Sequence, residues 1–153
     1  MSAPATVTTS ETMAAIAAQL ELELGPQIEG LQVDSKLVAN PTPPCLDVYP
    51  GDPFIERSSF GPGGGYEAVY VVRARVVTAD QQDGQELLLQ MQDPRGPLSV
   101  WAALEADATL AGAVDDSSVE AVSGFVPYES AGGHGAAYTG TLLGAEWRLR
   151  VVI

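Results

Sequence analysis

The sequence predicts an α+β fold, an antiparallel or mixed β-sheet packed against an N-terminal helix and a central pair of helices. Three observations predict it. Segments 66–78 and 138–153 alternate apolar with polar residues at the period of two expected of a half-buried strand. Segment 10–24 instead repeats apolar residues every three or four positions, as an amphipathic helix does. The elements run helix, strands, two helices, strands, and the last two strands are joined by a glycine-rich loop. That order implies a closing antiparallel hairpin, and so α+β rather than α/β.

Residues 1–9 are small and polar and are expected to fray. Ser10 or Thr9 can cap the first helix, and Glu11 suits the positive end of its dipole. Met13, Ile16, Ala17, Leu20 and Leu24 form its apolar stripe, and Gly25-Pro26 ends it. Leu31-Gln32-Val33 reads as a short strand. Asn40-Pro41-Thr42-Pro43-Pro44 is too rich in proline for a helix or a central strand. Leu46-Asp47-Val48-Tyr49 alternates and reads as a second strand. Residues 50–65, ending in Gly61-Pro62-Gly63-Gly64-Gly65, read as a long loop, and so does 129–137.

In the 66–78 strand, Ala68, Tyr70, Val72, Ala74 and Val76 face one way, toward the core. Glu67, Val69, Val71, Arg73, Arg75 and Val77 face the other. A helix follows over about 80–92, with Leu87, Leu88 and Met91 on one side. Asp93-Pro94-Arg95-Gly96-Pro97 breaks it, and Pro97 suits the first turn of the next helix. That helix is expected to carry Leu98, Trp101, Ala102 and Glu105, with Val100 and Leu104 one step round, and to end near Gly112. Residues 119–126 read as a further strand. In the last segment, Leu143, Ala145, Trp147, Leu149, Val151 and Ile153 are assigned to the core. Leu142, Gly144, Glu146, Arg148 and Arg150 are assigned outward.

The chain has 153 residues, a length that suits one domain spanning 1–153. With 46% hydrophobic and 18% charged residues it can bury a core and is not a disordered chain. The formal net charge is −13, which repels phosphate and argues against binding nucleic acid or an anionic membrane by charge. The acidity serves solubility, or else it lines a conduit for something negative such as DNA. No stretch approaches the ~20 apolar residues of a membrane helix, and residues 1–7 lack the pattern of a secretory signal. The chain is therefore expected to be soluble and made in a cytoplasm.

Little in the sequence points to catalysis, a cofactor or a metal. The single histidine, His134, sits in Gly132-Gly133-His134-Gly135, a poor place to hold a general base. The single cysteine, Cys45, reads as a buried thiol. Neither glycine run leads into a helix with a lysine, so neither reads as a phosphate-binding loop. Asp115-Asp116 and Asp80/Asp83 lack the ligand spacing of a calcium loop and read as caps and turns. The chain is expected not to be an enzyme.

Six of the seven basic residues are arginines, and four lie on two strands: Arg73, Arg75, Arg148 and Arg150. Two readings stand side by side. One is a solvated face with cross-strand pairs to glutamate. The other is a seam between subunits, where arginine forks meet a neighbour's carboxylates and offset the repulsion between acidic copies.

Segment 93–105, Asp93-Pro94-Arg95-Gly96-Pro97-Leu98-Ser99-Val100-Trp101-Ala102-Ala103-Leu104-Glu105, and the closing Gly144-Ala145-Glu146-Trp147 resemble the tail terminator proteins of long-tailed bacteriophages of actinobacteria. The N-terminal helix, the proline-rich early strands and the glycine loop before the last strand fit the same order. The resemblance implies an antiparallel sheet against helices, a hexameric ring on the tail tube, and a surface for the head-completion (stopper) protein. DNA would pass through the ring unread, and no cofactor is implied. The place would be the neck of the virion, assembled in the host cytoplasm. Alternatives are another head–tail connector or a tail-tube subunit and, more distantly, a small ligand-binding or hydrolase domain.

Overall fold

The computed structural model describes residues 7–39, 41–58, 65–77, 82–129 and 141–153. In chain order the elements are α1 (Thr9–Leu24), β1 (Gln32–Asp34), β2 (Cys45–Arg57), β3 (Tyr66–Val77), α2 (Gln82–Gln92), α3 (Val100–Glu105), β4 (Asp116–Val122), β5 (Val126–Glu129) and β6 (Thr141–Val152). The fold is α+β. Its six-stranded mixed sheet has the order β1-β2-β3-β6-β4, and β5 also pairs with β6. Only β1 and β2 are parallel. β5 takes the first third of the free edge of β6 and β4 takes the rest.

The helices cover one face. Ile16, Leu20 and Leu24 of α1, Leu88 and Met91 of α2, and Val100, Ala103 and Leu104 of α3 share one apolar cluster with the sheet. The sheet contributes Ala68, Tyr70, Val72, Ala74 and Val76 of β3 and Ala145, Trp147, Leu149 and Val151 of β6. These are the strand faces that alternation assigns to the core. Gln19 is also buried in the α1–α3 contact. Its amide donates to the carbonyls of Ala103 (2.9 Å) and Leu104 (3.0 Å) in the last turn of α3. No described helix is long and apolar enough to cross a membrane.

Six expectations change. Ile153, assigned to the core, lies beyond the end of β6 and is 42% exposed. Thr8, not Thr9 or Ser10, caps α1. Its hydroxyl oxygen accepts from the Glu11 N–H at 3.1 Å and donates to the Glu11 carboxylate, a reciprocal cap. The 50–65 loop is shorter than expected, because β2 runs on to Arg57. Pro50 and Pro53 are tolerated because β1 pairs only with Cys45–Asp47, which leaves the outer edge of β2 open beyond that point. The register slips between Pro50 and Ile55, where the extra residues bulge.

α3 is shorter and turned. Ser99 caps it, accepting from the Ala102 N–H at 2.9 Å, so Pro97 precedes the helix rather than sitting in its first turn. Val100, Ala103 and Leu104 are buried, while Ala102 and Glu105 are exposed. The helix stops at Glu105, not near Gly112. Asp107 takes the N–H groups of Thr109 and Ala111 onto its carboxylate, and Leu110, Ala111 and Gly112 adopt positive φ. The 119–126 strand is two strands, β4 and β5. They part at Ser123, whose N–H donates to the Glu146 carbonyl at 2.9 Å and whose carbonyl accepts from Gln92 at 2.7 Å. Finally, Leu142 and Gly144 are buried although they face away from the helices. Gly144 is required there: a Cβ would meet the Ala74 carbonyl oxygen at 2.2 Å and the Tyr128 ring at 2.5 Å.

Candidate subunit-contact face

The sheet face opposite the helices carries all four arginines singled out in the sequence, and the structure divides them into two pairs. β2 lies beside β3, so Asp47 stands opposite Arg73 and Cys45 opposite Arg75. The Asp47 carboxylate is 2% exposed and accepts from Arg73 Nε at 3.0 Å, from Arg75 Nη2 at 3.2 Å and from the Val38 N–H at 3.0 Å. Arg75 also donates to the Val38 carbonyl at 2.9 Å. The segment between β1 and β2 thus folds across this end of the face. Arg75 is 5% exposed, and its Nε has no hydrogen-bond partner among the described residues. Arg73 and Arg75 therefore do not stand on an open face. Their charge is used inside the chain.

Aromatic rings complete this cluster. The Arg73 guanidinium lies 5.4 Å from the Tyr49 ring centroid and 5.3 Å from that of Tyr128, a cation held between two π faces. The Tyr49 hydroxyl donates to the Glu146 carboxylate. Burial, then the Glu146 charge, push both phenols well above the ordinary tyrosine value, so both stay neutral across the physiological range. Burial likewise raises the Cys45 thiol, against the pull of Arg75. Cys45 is therefore a packed, unreactive thiol.

Arg148 and Arg150 form the second, open pair. They alternate along β6 and meet Glu120, which the irregularity in β4 between Val119 and Ala121 brings over them. Arg150 also reaches Glu67 on β3 at 2.8 Å. The four side chains make a ladder across three strands, each about a third exposed. Hydrogen bonding from Arg150, aided by Arg148, holds the Glu120 carboxyl below the usual glutamate value. A depressed carboxyl stabilises the fold above its unfolded pKa, and that contribution disappears as the pH falls through the lower folded value. The ladder therefore persists at neutral pH and comes apart only in acid. Its ion pairs are solvent-exposed and contribute little to stability by themselves.

Beside this pair lies a depression of about 310 Å³, lined by Val71, Ala121, Val122, Ser123, Glu146, Trp147 and Arg148. Ser123 Oγ is engaged twice, accepting from the Glu146 N–H at 3.0 Å and donating to the Gly124 carbonyl at 2.7 Å. Among the described residues, neither of these partners is a base.

Of the other residues weighed in the sequence, His134, Asp80 and the Gly132–Gly135 run lie outside the described residues. So do Gly61 to Gly64 of the first glycine run and the side chain of Asp83. Asp115 and Asp116 lead into β4. Among the described residues, no three His, Cys, Asp or Glu side chains gather to hold a metal ion. Asp47, Tyr49, Tyr128 and Gln19 were not singled out in the sequence. Of these, only Asp47 left a signal: a carboxylate on an apolar strand needs a cation. No protein-family model matches the chain and no curated protein matches it, so its own residues and their geometry carry the functional reading.

Proposed function

We propose that this chain is a non-catalytic structural subunit that assembles with copies of itself into a ring, in the manner the resemblance to phage tail terminators implies. In that role it would sit on the end of a tail tube, stop the tube's growth and present a surface to a head-completion protein. DNA would pass through the lumen without being bound.

One observation carries the self-assembly. The central strands β3 and β6 hold four of the chain's arginines on one face, and four carboxylates, Asp47, Glu67, Glu120 and Glu146, lie among them, so this face is locally balanced in a chain of net −13. Identical acidic chains repel. Arg148 and Arg150, about a third exposed and sharing Glu120 and Glu67, offer a neighbour's carboxylates guanidinium donors on a face that does not repel them. An arginine-bearing face meeting a different, acidic face is a heterologous contact, and such contacts close into rings when the rotation permits.

Native mass measurement tests this reading, with and without tail tubes. A ring of six copies of the 15.9 kDa chain gives roughly 95 kDa. A chain that stays monomeric and ignores tube ends overturns the proposal. Long hollow rods would favour the tube-subunit alternative.

Reversing both charges, Arg148→Glu with Arg150→Glu, is expected to weaken assembly at least about tenfold. The melting temperature of the monomer should move by only a few degrees, since exposed pairs contribute ~0–1 kcal/mol each. Unchanged ring formation in this variant would remove the seam.

A further inference from the structure

The turn between α2 and α3 carries two opposite charges one residue apart. Asp93, Pro94, Arg95, Gly96 and Pro97 are all exposed. Asp93 Oδ1 accepts from the Arg95 N–H at 2.9 Å, Gly96 has a φ of 107°, and Pro94 and Pro97 bracket Arg95-Gly96. These restraints hold the turn in one shape. Among the described residues, the side chains of Asp93 and Arg95 form no ion pair, with each other or with any other group.

The depression of about 310 Å³ on the other face of the sheet carries the reverse pattern. Glu146 and Arg148 both line it, and as alternate residues of β6 they stand ~7 Å apart along the strand. They are turned to different partners rather than to each other. Glu146 Oε1 accepts from the Tyr49 hydroxyl, and no described lysine or arginine forms an ion pair with this carboxylate. Arg148 gives its Nε to Glu120, while its Nη groups donate to no described residue. Val71 and Val122 lie half-buried beside them.

We propose that this depression receives the Asp93-Pro94-Arg95 turn of a neighbouring copy of the chain. Arg95 of the neighbour then meets Glu146, Asp93 meets the Nη groups of Arg148, and Pro94 lies between them against Val71 and Val122. Anion–apolar–cation on the turn matches cation–apolar–anion in the depression. A partner of uniform charge would satisfy one end and be repelled at the other. The turn is already in its shape before it docks, so few groups lose freedom on contact.

The contact rests on the self-assembly reading and deepens it, by naming the neighbour's half of the seam at Arg148. The turn belongs to the helix layer and the depression opens on the opposite face, so the contact runs head to tail. Gln92, next to the turn, donates to the Ser123 carbonyl at 2.7 Å, and Ser123 itself lines the depression. Turn and depression therefore keep a fixed relation within one chain, as a ring of defined size requires. One turn in one depression is a small contact, weak singly and strengthened when a ring closes.

Disulfide trapping tests the contact, because it captures weak pairs. Pro94→Cys and Ala121→Cys are made in separate chains, one of them isotope-labelled, and mixed under mild oxidation. Ala121 is exposed at the depression, and the native Cys45 is buried and does not compete. Mass spectrometry should show the mixed, disulfide-linked pair. Leu22→Cys, at an exposed position of α1, should give at least about tenfold less in place of Pro94→Cys. Adding Arg95→Glu to the Pro94→Cys chain should lower the mixed pair at least about tenfold, because carboxylate then meets Glu146. Lys36→Glu makes the same change in net charge at another exposed site and should leave the yield unchanged. Circular dichroism and thermal melting of each variant separate loss of contact from loss of fold. Absence of the mixed pair overturns the proposal, as does an equal yield from Leu22→Cys or in the presence of Arg95→Glu. A ring that persists undiminished in Arg95→Glu overturns this contact and leaves the ring reading standing. Trapped pairs in a chain that never forms a ring do the reverse.

Discussion

Replacing Trp147 with alanine is expected to lower the unfolding free energy by about 3–5 kcal/mol, the range for deleting a large aromatic from a core. Trp147 is fully buried and lies between two neighbouring strands, opposite Val72 of β3 and Val122 of β4. It belongs to the apolar cluster that the sheet shares with the three helices. Such surroundings relax little, so most of the cavity remains and the cost falls toward the upper end of the range. Urea denaturation is the measurement. The midpoint should fall while the slope with denaturant stays near that of the parent. Trp147→Phe sharpens the test. The indole Nε1 is buried with no hydrogen-bond partner among the described residues. Phenylalanine therefore sacrifices volume but no hydrogen bond, and should cost about 1–2 kcal/mol. A loss below ~1 kcal/mol for the alanine variant would contradict the packing of β6.

Removing the charge of Asp47 is expected to cost a similar amount, about 3–5 kcal/mol, for a different reason. Asp47 lies on the face that no described helix covers, yet its carboxylate is 2% exposed and holds two guanidiniums. In Asp47→Asn the shape is nearly kept. Arg73 and Arg75 remain almost out of water without their counter-charge, and removing one partner from a buried pair is far costlier than exchanging both. The comparison with Glu120→Gln makes the point measurable. That variant breaks ion pairs about a third exposed and should cost less than ~1 kcal/mol, shrinking further as salt rises. If the two variants cost the same, Asp47 is not the buried hub described here.

These two residues also show how far the sequence could be read. The burial of Trp147 was legible, because twelve residues of β6 alternate and that period alone assigns a face. The same reasoning found the core face of β3 and the stripe of α1. Periodicity gave the wrong face for α3 because six residues are fewer than two turns, and so cannot define a stripe. It also missed the second half of β2, since prolines are read as breakers when the edge that tolerates them is unknown. The arginines were found, but their division into a buried and an open pair was not. Alternation shows that Arg73, Arg75, Arg148 and Arg150 point away from the core. It does not show that Asp47 and Val38 come over the first two.

The sequence by itself determined the α+β class, the acidic character and the core faces of the two long strands. Each depends on residues close together in the chain, and local period and composition suffice to decide them. The tertiary structure alone decided the rest. The Asp47 cluster joins residues 26 and 28 positions apart. The ladder of Glu67, Arg150, Arg148 and Glu120 exists only because β6 lies between β3 and β4. Strand order is settled by which apolar faces can be buried together, a property of the whole chain that no local segment records.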